Sequence, residues 1–211
     1  MPSATQAEHQ NGSGRTASQA NRHSLATRAV HGALALAIVA QLVTSYTMHR
    51  PRNGAPGDLV YSLHEYAGLL AFVLALLFWV TVLVRTKGTS IAALLPWFAS
   101  ARRRALWGDI AAHRKALFRL RLPLHGQDGP LASAIHGLGL TLVSVMALTG
   151  TYWFIMNQFG LGRAVYVHIF LELHALFGNL VWAYLIGHAG IALVHHAART
   201  MSLGVMWSLR G

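Results

Sequence analysis

The stretch ELHALFGNLVWAYLIGHAGIALVHH, residues 172–196, decides how this chain folds. It is almost wholly apolar, yet it carries His174 and His188 fourteen residues apart. Fourteen helical steps of about 100° close to within about 40° of whole turns, so both imidazoles share one helix face. At about 1.5 Å per residue they stand roughly 21 Å apart, one toward each side of an apolar core about 30 Å thick. Imidazole is costly among lipid chains and is kept there for function. Two of them on one face, at two depths, predict two cofactor sites stacked across a membrane.

The rest of the chain agrees with a membrane setting. Of its 211 residues 54% are hydrophobic and 11% charged, where a soluble domain carries about 25% charged. The net charge of +11 is not a nucleic-acid signature, because the cations sit between apolar runs, as topogenic residues do. With no cysteine, disulfides, iron–sulfur clusters and thiolate metal sites are excluded. Any metal must be held by histidine or oxygen ligands, and 13 histidines are present.

Four apolar segments are expected to cross the bilayer as helices, over residues 25–48, 61–84, 131–156 and 165–198. The expected fold is therefore an all-α, integral membrane four-helix bundle. Residues 1–24 read as a polar, disordered tail, residues 85–130 as a basic loop, and residues 199–211 as a short end. The tail and first turn carry Arg15, Arg22 and Arg28, and the 85–130 loop carries nine further cations. The opposite side has only Arg50, Arg52 and Arg163. The positive-inside rule then predicts both termini and the long loop in the cytoplasm of a multi-pass inner-membrane protein. The loop stretch IAALLPWFASARRRALWGDIAAHRKALFRL mixes tryptophans, apolar residues and cations. It reads as a basic segment lying on anionic headgroups, with a docking surface for a cytoplasmic partner as the alternative.

Sorted by depth, His64 and His174 form an outer layer, and His31, His136 and His188 an inner one. Two neutral imidazoles from two helices are what a six-coordinate b-type haem requires. In the outer layer His64 is the helical partner for His174. In the inner layer His31 is the best-placed partner for His188, with His136 as an alternative ligand or, in preference, a propionate or quinone contact. Glycines recur beside these histidines, at 32, 68, 178, 187 and 190, and are expected to make room between helices. Arg28, one turn before His31, is a candidate for a haem propionate. A histidine-lined divalent-metal transporter is the alternative from another class, although the only acidic residues within the spans are Glu65 and Glu172.

These residues resemble the bacterial cytochrome b561 and nickel-hydrogenase cytochrome b family, which is itself similar to the cytochrome b subunits of formate dehydrogenases. The likeness covers about residues 25–198. It rests on the L-H, I-G-H-A and H-H elements of residues 172–196, on RAVHGALAL in the first span and on HGLGLTLVSVMALTG in the third. Position 32 is glycine where many relatives carry tryptophan, and the 85–130 loop exceeds that of the shortest stand-alone members. The resemblance implies two b haems between helices, with axial pairs His64–His174 outside and His31–His188 inside. It further implies electron exchange between a quinone pool and a redox partner: a hydrogenase, another dehydrogenase, a small cytochrome or superoxide.

Overall fold

In a computed structural model, the described residues are 24–52, 55–86, 88–119 and 129–198. The expected tail, apart from Ser24, and the 199–211 end lie outside them. Every described element is helical, apart from one isolated bridge between Arg52 and Ala55. In chain order they are α1 (Leu25–Thr47), α2 (Leu59–Val84), α3 (Ile91–Leu94), a 3₁₀ turn (Pro96–Phe98), α4 (Ser100–Phe118), α5 (Pro130–Gln158) and α6 (Val165–Ala197). The helices α1, α2, α5 and α6 are each long and apolar enough to cross a membrane.

Local chemistry sets where the spans begin. Ser24 caps α1 by accepting the Thr27 N–H at 3.2 Å, a role for which a short hydroxyl side chain is suited. Asp58 caps α2 in the same way, accepting from Tyr61 N–H at 2.7 Å. That cap starts the helix at Leu59, two residues before the sequence reading placed it. Asp58 also closes the α1–α2 connection: its N–H bonds to the His49 carbonyl at 3.2 Å and its carboxylate accepts from His49 Nδ1 at 2.9 Å. The His49 contact, with the Tyr61 N–H, holds the Asp58 carboxyl below the usual carboxylate range. The α5–α6 connection turns at Gly160, whose φ of 74° favours a residue without a side chain.

α1 packs along α2 and α5 along α6, while α2 and α5 join the two pairs. The core is thin. It consists of Leu34, Ile38 and Leu42 from α1, Ala71 and Ala75 from α2, Val143 and Met146 from α5, and Val181 from α6. Alanines let α2 approach its neighbours closely. The Trp79 indole N–H donates to Ser144 Oγ at 2.8 Å, tying α2 to α5. Many large apolar side chains instead face outward, among them Leu36, Leu63, Leu70, Val80 and Ile186. In water such a surface would be costly; in a bilayer it is the expected lipid face.

The 85–130 segment folds back onto the bundle. Leu94 of α3 is buried against Val82 and Leu140, and its backbone lies so close to Gly137 that no Cβ fits there. Arg85 donates to the Thr89 carbonyl, and partial burial draws its pKa down. α4 is fixed by Asp109, whose side chain is buried. Asp109 Oδ2 accepts the Leu131 N–H at 2.9 Å and Oδ1 lies 3.2 Å from His113 Nδ1. Gly129 has no side chain to cap α5, so a carboxylate from α4 supplies the cap across the loop. Asp109→Ala should lower the stability of this attachment by about 0.5–2 kcal/mol, the range of a lost helix cap. The check is hydrogen exchange in nanodiscs, with faster exchange at Leu131 and through α4; unchanged protection there would mean that Asp109 does not hold the helix.

With α4 so anchored, Arg102, Arg103, Arg104, Trp107, Arg114, Lys115 and Phe118 remain exposed. Cations interleaved with aromatic side chains suit a headgroup surface.

Candidate metal centre

The bundle has a short-loop end, with the α1–α2 and α5–α6 connections, and a long-loop end. His64, five residues into α2, and His174, nine residues into α6, both lie toward the short-loop end. Their ring centres are 6.2 Å apart with planes at 82°. Two imidazoles bonded to one metal from opposite sides, at about 2 Å each, have centres roughly 6 Å apart. The spacing therefore leaves room for a single metal ion between the rings.

The hydrogen bonds decide which nitrogen each ring offers. His174 Nδ1 lies 2.8 Å from the Met146 carbonyl oxygen. A carbonyl only accepts, so Nδ1 carries the proton and Nε2 keeps its lone pair. His64 Nδ1 lies 3.0 Å from Thr44 Oγ1. The Thr44 hydroxyl has a single proton, directed at the carbonyls of Ala40 and Gln41, at 2.8 and 3.0 Å. Its oxygen then accepts from His64, and Nε2 of His64 is again the free donor atom. Both rings present the tautomer that a metal-bound histidine adopts, with the far nitrogen held by an oxygen acceptor.

Glycine makes this possible at Gly150, on α5 opposite His174. A Cβ there would stand 2.8 Å from His174 Cε1 and Nδ1. Sequence reading chose different glycines. Gly68 does not open a cleft: its missing Cβ is taken up by the Gln41 amide, 3.2 Å away. Gly178, Gly187 and Gly190 face open space.

Toward the long-loop end, His188 lies between two rings. The Tyr184 ring stacks on it at 5.3 Å and 11°, and His136 of α5 meets it edge-on at 5.4 Å. Tyr184 reaches this place because Gly139 has no Cβ; one there would run into the phenol ring. His31 of α1 instead lies against Phe78 of α2, with ring centres 6.0 Å apart. The structure thus brings His136 to His188 and leaves His31 on a helix whose main neighbour is α2. Arg28, three residues before His31, is buried at 5% exposure.

Sequence reading did not single out Tyr184, Thr44 or Gln41. Tyr184 carried a signal, since four residues before His188 is the same helix face. So did Gln41, a primary amide within an apolar span, where polar groups are costly unless bonded. Thr44 carried none, because threonine is unremarkable in membrane helices.

Among the described residues no three histidine or carboxylate side chains converge on one point. A divalent ion held by protein alone ordinarily takes four ligands. Two imidazoles at this spacing instead suit a planar macrocycle that supplies four nitrogens itself. The donor set fits an axially ligated haem at the short-loop end.

The profile of one protein family, described as prokaryotic cytochrome b561, matches residues 22–208. No curated protein and no solved structure matches the chain. With nearly its whole length matched and its imidazoles so disposed, the chain belongs to the prokaryotic cytochrome b561 family, and is a multi-pass membrane b-type cytochrome of electron transfer.

Proposed function

We propose that the chain holds two b haems, one toward each membrane face, and relays single electrons between a quinone pool and a redox partner. That partner is a hydrogenase, another dehydrogenase, a small cytochrome or superoxide. The observation that carries the reading is the outer pair: His64 and His174, each with Nδ1–H held and Nε2 free, 6.2 Å apart. The inner haem is assigned to His188 with His31, following the family resemblance. His136 is the alternative ligand, or a contact for propionate or quinone.

A haem held by two of these imidazoles would supply one-electron chemistry and would leave no place for oxygen to bind. The chain supplies the surroundings. Met146 and Thr44 fix ring tautomer and orientation, and Gly150 gives His174 its place. Lipid-facing Leu and Val keep water from the spans. Arg28 offers a buried cation beside His31, where a propionate would be stabilised. The basic loop favours a cytoplasmic location for the long-loop end and both termini, by the positive-inside rule. The exposed cations and aromatics of α4 favour contact with anionic headgroups on that side.

The full chain, purified and reduced with dithionite, should show a b-type α band, and pyridine haemochrome analysis should count two haems per chain. Absence of the band would end the cytochrome reading for this chain. A count of one would end the dihaem proposal alone.

A further inference from the structure

The outer site contains two side chains that neither ligate nor line a packing face by necessity: Thr44 and Gln41. They stand three residues apart on α1, so they share a face, and both reach His64 on α2. Gln41 is 4% exposed and donates from Nε2 to the His64 carbonyl oxygen at 2.7 Å. Thr44 accepts from His64 Nδ1 at 3.0 Å while donating to carbonyls of its own helix. His64 is thereby held at ring and backbone by one face of a neighbouring helix. A buried amide is expensive among apolar chains unless bonded, and glycine at 68 leaves the space in which this one sits.

The two outer imidazoles are not held alike. His174 donates to a backbone carbonyl, which no side-chain change removes. His64 donates to a hydroxyl, an acceptor that substitution can delete. An acceptor on the far nitrogen makes an imidazole a stronger electron donor to its metal, which favours the oxidised ion. Deleting that acceptor therefore raises the reduction potential of the one metal that His64 ligates.

Resting on the haem reading above, we infer that Thr44 is a positioning residue that orients His64 and sets the potential of the outer haem, with Gln41 fixing the backbone beneath it. Thr44 touches neither the iron nor any substrate and acts through His64.

The test uses the full-length, haem-loaded protein in nanodiscs, titrated potentiometrically at the α band, with low-temperature EPR of the oxidised state. Thr44→Val keeps the shape and removes the hydroxyl; Thr44→Ser keeps the hydroxyl. In Thr44→Val one of two potentials should rise enough to change the reduced-to-oxidised ratio about tenfold, or about 59 mV for one electron. One low-spin EPR signal should move with it, because the ring is freer to turn. Thr44→Ser should restore both. If Thr44→Val keeps two haems with unchanged potentials and signals, the inference is wrong while the haem reading stands. If Thr44→Val loses a haem that Thr44→Ser retains, and it is the one that His174→Ala loses, the hydroxyl's role is upheld. Loss in both Thr44 variants would show that the hydroxyl is not what matters. A wild-type protein without b haem would overturn the underlying reading itself.

Discussion

Replacing His174 with alanine is expected to halve the haem content of the protein, from two per chain to one, and His64→Ala is expected to remove the same haem. The expectation comes from the geometry at the short-loop end. The two rings stand 6.2 Å apart, and each holds its Nδ1 proton on an oxygen acceptor, leaving Nε2 for the metal. Neither ring has a substitute close by. Among the described residues the other two histidines of this end are exposed and paired, His49 with Asp58 in the α1–α2 connection and His168 with Glu172 on α6. A haem with one axial ligand removed from a two-imidazole site loses its hold and its low-spin character. Pyridine haemochrome analysis gives the count, and potentiometric titration shows which component has gone. Should the two variants remove different components, His64 and His174 do not share a haem and the outer assignment fails.

The same pair shows how far the sequence could be read. Four spans follow from apolar run length, because the bilayer fixes how many residues a helix needs. The common face of His174 and His188 follows from helical periodicity alone. Helix ends were less legible. Asp58 begins α2 at Leu59 through a cap bond that competes with apolar patterning, and Asp109 caps α5 from a helix 22 residues upstream. Neither can be seen in a local window. The glycines were the least legible, since a missing Cβ matters only for what stands opposite. Gly150 and Gly139 serve His174 and Tyr184 across a helix interface.

The acceptors behind the ligands were out of reach for a related reason. Met146 holds His174 through its backbone carbonyl, so residue identity carries no trace of the interaction. That carbonyl also accepts the Thr149 hydroxyl at 2.9 Å, and His174 reaches it because Gly150 carries no Cβ to block the approach. Candidate ligands can be read from residue types; their orientation depends on a neighbouring helix, through a backbone carbonyl for His174 and a side-chain hydroxyl for His64. The first reaches the page as a motif, the second only as a fold.

The proposed inner haem supplies the other large effect. His188→Ala should remove the second haem and leave the outer one intact, which the spectrum and a haemochrome count of one per chain would show. The informative comparison is between His31→Ala and His136→Ala. If His31 is the opposing ligand, His31→Ala reproduces the loss seen with His188→Ala, and His136→Ala keeps two haems. If His136 is the ligand, the two outcomes exchange. Different observations favour each. Family resemblance points to His31, and Arg28, buried one turn away, provides a cation suited to a propionate. The close approach of His136 to His188, at 5.4 Å, points the other way. Tyr184 weighs in the balance, because its ring covers one face of the His188 imidazole at 5.3 Å. A stacked phenol restricts how that imidazole can turn, so the ring's plane is set before any ligand opposes it. Tyr184→Phe keeps the stack and should keep the haem, whereas Tyr184→Ala frees the ring and should weaken retention of the inner haem alone. Retention of both haems in His31→Ala, with loss of one in His136→Ala, would move the inner site from α1 to α5 and leave Arg28 without its proposed role.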